Sequence, residues 1–190
     1  MAELRVAASE LILGGQKSGK TRRAEALAAA WLAAAPAHRA VYIATAQAWD
    51  EEMRERIERH RQDRAQRVPA METVEEPVEL ARAIGAHSRA DTLVVVDCLT
   101  LWLTARLLPA VGTPEQGLAD PDRVIANAIA AAAGPLVLVS NEIGLGVVPM
   151  GRETRAFVDT LGRLNQQAAA ACERVTLMAA GLPLVLKDRS

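Results

Sequence analysis

The sequence predicts an α/β protein of three layers, in which helices cover both faces of a mainly parallel sheet that ends in an antiparallel C-terminal edge hairpin. Strand-length apolar runs such as "LVVV" and "LVLV" alternate with longer runs of helix-forming residues, which is the pattern of such a sheet. Two short apolar runs flank Gly181 and indicate the hairpin. The 190 residues contain neither an internal repeat nor a low-complexity linker, so we expect a single domain spanning residues 1–190.

The elements follow in order along the chain. The first strand ends in two glycines, and the helix after it is rich in strong helix formers and stops near Pro36. The next helix is densely charged, with Asp50 as its N-cap and two glutamates in its first turn. Residues 109–121 are the most loop-like stretch, for which a lid, an oligomer contact and a loose loop stay open. We expect strands at 11–13, 40–45, 92–97, 135–142 and on either side of Gly181, and helices at 20–35, 50–64, 74–87, 99–108, 121–133 and 153–173.

Composition excludes several classes of function. There are 22 basic and 23 acidic side chains, and aromatic residues make up 3%, so neither a basic field nor a base-stacking surface points to nucleic acid. No apolar run is long enough for a membrane span, and the N-terminus does not resemble a signal peptide, so we expect a cytoplasmic protein. Cys98 and Cys172 lack metal-ligand spacing and are expected to be buried thiols.

The most informative motif is "GGQKSGKT" at residues 14–21, which fits G-x-x-x-x-G-K-[ST] and lies between a predicted strand and a predicted helix. Its glycines let backbone N–H groups point at phosphate oxygens, and the helix after it adds the positive end of its dipole. Lys20 supplies a cation for the β- and γ-phosphates, and the Thr21 hydroxyl is a ligand for Mg²⁺. The motif predicts a P-loop NTPase-like (RecA-like) fold that binds a nucleotide, with a glycine-rich turn that binds no ligand as the alternative.

A carboxylate that positions the metal is expected at the end of a neighbouring strand. Asp97 directly follows four apolar residues and is the better candidate, with a strand-end or helix-capping aspartate as the alternative. Asn141 and Glu142 stand in a comparable place, at the sheet edge where ligands of open α/β sheets gather. Glu142 either orients an acceptor or caps a turn.

His60 is the histidine whose surroundings suggest chemistry, since His38 and His87 lie in polar connections that we expect to face solvent. Met53, Ile57 and His60 share one face of the predicted helix, among many arginines. Composition alone favours a histidine that closes an apolar stripe. The alternative is a nucleophile that attacks an α-phosphate, with arginines neutralising the phosphate oxygens.

Taken in order, the motifs resemble those of the bifunctional adenosylcobinamide kinase / adenosylcobinamide-phosphate guanylyltransferase family of cobalamin biosynthesis. The matching stretches span nearly the whole chain: "GGQKSGKT", "YIATAQAWDEEMRERIERHR", "VEEP", "VVVDCLTLWL", "VSNEIGLGVVP" and "GRLNQQAAAACERVTLMAAGLPLVLK". The resemblance implies a two-step enzyme. It would phosphorylate adenosylcobinamide with ATP or GTP, then transfer GMP from GTP to that phosphate through a GMP–histidine intermediate, releasing adenosyl-GDP-cobinamide and pyrophosphate. The histidine that matches is His60.

The resemblance also implies the remaining site residues, with His60 and Lys20 catalytic and Thr21 and Asp97 on the metal. Members assemble as trimers, so a homo-oligomer is expected, with the corrinoid as a further partner. Relatives often carry Arg and Ser where this chain has Lys17 and Thr21, which keeps the charge and the hydroxyl. The implied nucleotide contacts are Gly14, Gly15, Gln16, Lys17, Ser18, Gly19, Lys20, Thr21, Ala44, Thr45, Ala46, Arg61, Gln62, Asp63, Arg64, Glu75 and Asp97.

The segment after His60 is longer than in some relatives, which makes the transfer of Arg61 to Arg64 less direct, and some members of the wider family keep only part of the activity. Two other functions therefore stay open. One is a P-loop kinase of a small metabolite without guanylyltransferase activity, in which His60 is structural. The other is a non-catalytic, nucleotide-gated regulatory protein.

Overall fold

The expected α/β architecture is present in a computed structural model that describes residues 4–107, 120–147 and 149–190. Within those residues, helices and strands alternate along the chain, as the apolar and helix-forming runs predicted. The elements are β1 (Ser9–Gly14), α1 (Lys20–Ala34), β2 (Arg39–Ala44), α2 (Glu51–Arg67), β3 (Met71–Glu75), α3 (Leu80–His87), β4 (Thr92–Asp97), α4 (Leu99–Leu107), α5 (Pro121–Ala131), β5 (Leu136–Val139), α6 (Arg152–Ala171), β6 (Arg174–Ala179) and β7 (Leu182–Asp188).

The strands of the described residues form one seven-stranded sheet in the order β3-β2-β4-β5-β1-β6-β7. All neighbouring pairs are parallel except β6 and β7, which form the predicted antiparallel hairpin at one edge. The fold prediction is therefore confirmed. In the part of the chain that the structure describes, no helix has both the length and the apolar character needed to cross a membrane.

The sheet is covered on both faces by separate apolar clusters. On one face, β-strand side chains pack against α1 and the residues that follow α2, through Leu27 and Val68 among others. On the other face they pack against α3, α4, α5 and α6, around the fully buried Trp102. Both cysteines lie in these clusters, and burial raises the pKa of each thiol to about 12, so the prediction of buried free thiols is confirmed.

The prediction of one helix over 74–87 is wrong at its start. Residues 71–75 form strand β3, and the helix begins only at Leu80. β3 is an edge strand paired only with β2 and leaves Glu72, Thr73 and Glu75 exposed, so it has no apolar run to reveal it. The loop-like stretch 109–121 lies almost wholly outside the described residues, which resume at Asp120, the N-cap of α5.

The strand registers bring the ends of the strands to one edge. Glu75, Ala44 and Asp97 lie in one row across β3, β2 and β4. The same row continues through Val139 of β5 to Ile12 of β1, two residues before Gly14. The carboxyl edge of the sheet therefore carries the phosphate loop (residues 14–21) and the strand-end residues that the sequence singled out.

Candidate functional site

The phosphate loop has a backbone that only glycine permits at two positions. Gly14 has φ +151° and Gly19 has φ +101°. A Cβ on Gly14 would lie 2.5 Å from the Met178 carbonyl oxygen, so β6 approaches the loop closely. The turn between β6 and β7 also contacts the loop, where the Gly181 N–H donates to the Ser18 carbonyl at 3.0 Å. Residues 15–17 are exposed and face the space where phosphates would bind.

Lys20 is buried at the first position of α1, beneath its own loop. Its Nζ donates to the carbonyl oxygens of Gly14 at 2.9 Å and Gly15 at 2.7 Å. Burial lowers the Lys20 pKa, the Asp97 and Cys98 side chains oppose that shift, and the Arg56 cation lowers the pKa further. A phosphate oxygen could therefore replace these carbonyls as the acceptor of the ammonium. The positive charge that adds to that of Lys20 belongs to Arg56 of α2.

Thr21 and Asp97, the two residues expected on the metal, are in direct contact. The Thr21 hydroxyl donates to Asp97 Oδ2 at 2.6 Å, although the two residues stand on different elements, α1 and the end of β4. A hydroxyl and a carboxylate are hard oxygen ligands, and Mg²⁺ is usually held by one or two such groups together with substrate phosphates and water. The pair therefore fits Mg²⁺. No group of three or more acidic, histidine or cysteine residues suited to a metal occurs in the described ranges.

A residue that the sequence reasoning did not single out completes this cluster. Tyr42 of β2 is buried, and its hydroxyl donates to the same Asp97 oxygen, Oδ2, at 2.9 Å. Burial, and then the charge of Asp97, raise the pKa of Tyr42 well above its ordinary value, so the group remains a phenol and a donor. Asp97 therefore accepts two hydroxyl bonds on one oxygen.

The helix that carries His60 begins as predicted, since Asp50 Oδ1 accepts from the Met53 N–H at 2.7 Å. It continues to Arg67, three residues beyond the predicted end. Met53 and Ile57 are half-buried on one side of the helix, whereas His60 on that same side is exposed. The imidazole is therefore accessible to a ligand and does not close a buried apolar stripe.

The last two turns of α2 hold the helix against the sheet. Arg64 is the buried residue of the helix, with its guanidinium carbon 3.9 Å from the centre of the Tyr42 ring and its Nε donating to Thr73 Oγ1 at 3.2 Å. Arg67 forms an ion pair of 2.8 Å with the buried Glu25 of α1. Arg56, His60 and Arg64 follow one another at intervals of four residues and so share one side of the helix. His60 therefore lies between Arg56, whose charge lowers the Lys20 pKa, and Arg64, which contacts Tyr42.

The four residues Arg61 to Arg64 do not share one environment. Arg61 and Gln62 are exposed, and Gln62 bonds to Glu58, while Asp63 pairs with Arg67. Successive helical residues point about 100° apart, so they cannot all face one ligand without a change in the helix. Arg64 is the member of this set that the fold turns toward the Asp97 cluster.

The strand-end residues Ala44, Thr45, Ala46 and Glu75 lie beside this cluster. Thr45 is fully buried and its hydroxyl is occupied, donating to the carbonyl and accepting from the N–H of Cys98, each at 2.7 Å. The backbone of this segment, rather than the Thr45 side chain, is thus what a nucleotide could contact. Glu75 is exposed at the end of the edge strand.

Glu142 takes the second of its two predicted roles. Its N–H donates to the Gly14 carbonyl at 3.1 Å, and its carboxylate accepts from the Gly144 N–H at 3.3 Å. It therefore caps its own turn while fixing the loop after β5 beside the phosphate loop. No motif in the sequence singles out Asn165 of α6. Its side chain accepts from the Ser140 hydroxyl at 2.7 Å and donates to the Asn141 carbonyl at 3.0 Å, and so holds that loop in place.

The prediction that His38 faces solvent is wrong. Its ring stacks on Trp31 at 3.7 Å, and its Nδ1 lies 2.7 Å from the Trp31 carbonyl oxygen. The sequence did not reveal this contact, because His38 lies in a polar connection and its partner, Trp31, lies on the preceding helix, α1. The ring is half-buried there and has a structural role.

A phosphate loop with a buried lysine, backed by a threonine–aspartate pair at the carboxyl edge of a parallel sheet, defines a P-loop nucleotide-binding enzyme. Residues 10–186 match the family model described as cobinamide kinase / cobinamide phosphate guanyltransferase, so the chain belongs to this family. It is an enzyme with the two activities, kinase and guanyltransferase, that define the family.

Curated relatives agree over nearly the whole chain. The chain is 46% identical over 179 residues to the bifunctional adenosylcobalamin biosynthesis protein CobP of Pseudomonas aeruginosa, covering 94% of this chain and 96% of that protein. It is 35% identical to the bifunctional adenosylcobalamin biosynthesis protein CobU of Escherichia coli and 36% identical to that of Salmonella typhimurium, in each case over 93% of this chain and 98% of the relative.

Proposed function

We propose that this chain, as one domain spanning residues 1–190, phosphorylates adenosylcobinamide with ATP or GTP and then transfers GMP from GTP to the adenosylcobinamide phosphate through a GMP adduct on His60. The observation that carries the proposal is the position of His60. It is exposed on the helix whose following turn packs Arg64 on Tyr42, which bonds to Asp97. An accessible imidazole has the chemistry of a nucleophile toward a phosphate.

In the kinase step, the chain positions the reactants and stabilises charge. The loop N–H groups and Lys20 would hold the β- and γ-phosphates, and the Lys20 ammonium would exchange its two backbone carbonyls for phosphate oxygens. Thr21 and Asp97 would hold Mg²⁺, which neutralises charge on the phosphates when bound. The corrinoid hydroxyl attacks the γ-phosphorus, the bond to the leaving nucleoside diphosphate breaks, and the hydroxyl proton passes to solvent.

In the transferase step, a nitrogen of the neutral His60 imidazole attacks the α-phosphorus of GTP. The bond from the α-phosphorus to the bridging oxygen breaks and pyrophosphate leaves, while the other ring nitrogen loses its proton to solvent. A phosphate oxygen of the phosphorylated corrinoid then attacks the same phosphorus and displaces the imidazole, whose ring takes up a proton from solvent as it leaves, which gives adenosyl-GDP-cobinamide.

One phosphate loop would serve both reactions, so α2 would have to approach the bound nucleotide for the second one. Arg64 and Arg67 fix the C-terminal turns of the helix, whereas residues 51–61 are largely exposed. We propose that the N-terminal half of α2 moves. An equal distance from His60 to the phosphate loop with and without GTP, measured by double electron–electron resonance between spin labels, would refute this motion.

Further nucleotide contacts are proposed for the loop residues 14–21 and for Ala44, Thr45, Ala46, Arg61, Gln62, Asp63, Arg64, Glu75 and Asp97. Their support is the shared carboxyl edge, which places Glu75, Ala44 and Asp97 in one row. We also propose a cytoplasmic homotrimer. Support for assembly is the edge strand β7, on which Leu182, Leu184 and Leu186 are more than half exposed. Analytical ultracentrifugation tests the trimer, and a purely monomeric chain would refute it.

The test of the His60 role uses the intact mass of the protein after incubation with GTP and Mg²⁺. Wild-type protein should gain the mass of GMP in an acid-labile linkage, and His60→Ala should gain none while still phosphorylating cobinamide. His87→Asn is the matched control. It removes a different histidine, which lies on α3, and this variant should form the adduct as the wild type does. An adduct that persists in His60→Ala would refute the assignment.

The same experiment separates the two alternative functions. A wild-type chain that phosphorylates cobinamide but never forms an adduct is a kinase alone, with His60 structural. A chain that binds nucleotide and performs neither step is a regulatory protein. Formation of adenosyl-GDP-cobinamide on addition of adenosylcobinamide phosphate, with loss of the adduct, would establish the complete second step.

A further inference from the structure

Tyr42 is the side chain that contacts both halves of the site. Its hydroxyl donates to Asp97 at 2.9 Å, and its ring lies under the guanidinium of Arg64 on α2, 3.9 Å away. We propose that Tyr42 is a positioning residue with two separable roles: its hydroxyl orients Asp97 for the metal–nucleotide complex, and its ring packs under Arg64 and so positions the helix that carries His60. The proposal rests on the proposed function for its second role only.

The first role follows from how Asp97 is held. The hydroxyls of Tyr42 and Thr21 both donate to Oδ2, from opposite sides of the site, β2 and α1. Two donors on one oxygen fix the rotation of the carboxylate. Oδ1 accepts no hydrogen bond from the described part of the chain, so the fixed rotation presents that oxygen to a cation or to a water on it. Tyr42 is buried, so water cannot replace its hydroxyl.

The second role follows from how α2 is attached. Arg64 is the buried residue of an otherwise exposed and charged helix, and its planar guanidinium stacks on the Tyr42 ring while Nε bonds to Thr73 at 3.2 Å. His60 precedes Arg64 by four residues and so lies one turn away on the same side. A shift of Arg64 relative to the Tyr42 ring therefore shifts His60 relative to the phosphate loop.

Two variants separate the roles. Tyr42→Phe removes the hydroxyl and keeps the ring under Arg64, whereas Arg64→Lys keeps a positive charge and removes the planar group that stacks on the ring. If both roles exist, the first variant changes metal affinity and the second changes the chemistry of His60. If Tyr42 only fills space in the core, both variants lower stability and neither effect is selective.

The first measurement uses Mn²⁺ as a spectroscopic substitute for Mg²⁺, titrated into the protein–GDP complex and followed by electron paramagnetic resonance. Tyr42→Phe should weaken Mn²⁺ binding roughly 10-fold, as loss of a partner to a metal-ligating carboxylate does. Arg64→Lys should weaken Mn²⁺ binding less than Tyr42→Phe does. A Tyr42→Phe protein whose Mn²⁺ affinity stays within twofold of wild type overturns the proposal.

The second measurement is the rate of GMP adduct formation at saturating Mg²⁺, set against the rate of cobinamide phosphorylation. Arg64→Lys should lower the ratio of the adduct-formation rate to the phosphorylation rate roughly 10-fold or more, since displacement of a reacting group costs rate strongly. Tyr42→Phe should form the adduct at the wild-type rate once Mg²⁺ saturates. A wild-type adduct rate in Arg64→Lys overturns the proposal.

Thermal unfolding of each variant shows whether it is folded. If Arg64→Lys fails to fold, Thr73→Val replaces it, because this change removes only the acceptor of the Arg64 Nε bond and should slow adduct formation in the same direction. If the wild-type chain forms no adduct at all, the proposed function fails. The Mn²⁺ titration still decides the role of the Tyr42 hydroxyl in that case.

Discussion

The helices α1 and α2 cover the same face of the sheet and are built in opposite ways. α1 is rich in alanine and buries Lys20, Ala24, Glu25, Leu27 and Ala28, whereas α2 buries Arg64 alone. Packing therefore fixes the phosphate loop at the start of α1 before any ligand binds. α2 is attached by two arginines and presents His60 to solvent. The difference teaches that packing preorganises the phosphate loop, whereas His60, the proposed nucleophile, lies exposed on a helix with few buried contacts.

Loss of Lys20 is the largest effect that we expect on activity. Lys20→Ala should lower the rates of phosphorylation and adduct formation each by roughly 10²–10³-fold, because a preorganised cation for the phosphates is lost in both reactions. Arg22→Ala is the matched control, since it removes a neighbouring, exposed positive charge of α1 and should change each rate less than about threefold. If only one of the two rates falls in Lys20→Ala, the two steps do not share one phosphate loop.

The rigidity of the loop can be tested at adjacent glycines. Gly14→Ala should lower the free energy of unfolding by about 2–3 kcal/mol, because the new methyl group would clash with the Met178 carbonyl and the Ser18 hydroxyl. A methyl group on Gly15 meets no atom within 4 Å, so Gly15→Ala should stay within about 0.5 kcal/mol. Urea unfolding measures both. Equal stabilities would contradict the tight packing of β6 against the loop.

The attachment of α2 can be weakened at its last turn. Arg67→Ala leaves the carboxylate of Glu25, which is 2% exposed, without its cation and should cost about 1–3 kcal/mol of the free energy of unfolding. Arg54→Ala breaks a largely exposed pair with Glu51 on the same helix and should cost less than about 0.5 kcal/mol. Chemical unfolding followed by circular dichroism compares the two. A costly Arg54→Ala would mean that the surface of α2 is itself stabilising.

The smallest effect that we expect is on the number of protons taken up when nucleotide binds. Burial and the Arg56 cation lower the pKa of Lys20, so in the free protein this side chain begins to lose its proton at a lower pH than an ordinary lysine does. Bound phosphates favour the ammonium, so nucleotide binding should take up protons, and the uptake should grow as the pH rises into the alkaline range. Titration calorimetry in buffers of different ionisation enthalpy measures the uptake, and Arg56→Ala should reduce it. Release of protons at alkaline pH would contradict the sign of the shift.

Most of the fold could be predicted because its strands are buried and read as apolar runs. β4 and β5 are fully covered by helices, so four consecutive apolar residues mark each of them. β3 could not be predicted in this way, since it lies at the sheet edge and exposes three of its five residues. The start of the helix over 74–87 was wrong for the same reason.

The site divides along similar lines. The phosphate loop and the Thr21–Asp97 pair could be predicted because local motifs and strand ends specify them. The role of Tyr42 could not, because it depends on two contacts 55 and 22 residues away in sequence, to Asp97 and Arg64, which only the pairing of β2 and β4 and the packing of α2 bring together. The alternation of Ala40, Tyr42 and Ala44 indicates only that these side chains share one face of β2, which the structure packs against α1. The family resemblance, not periodicity, pointed to His60 as the nucleophile.

The contact between the β6–β7 turn and the phosphate loop has a consequence for how the protein is made. The Gly181 N–H donates to the Ser18 carbonyl, and Met178 packs directly against Gly14. The loop is therefore complete only when residues from a distant part of the sequence are in place. The ribosome synthesises the loop long before the hairpin. Contacts of such high sequence separation form late and slowly, so nucleotide in the cell cannot assist the growing chain and can stabilise only the finished fold.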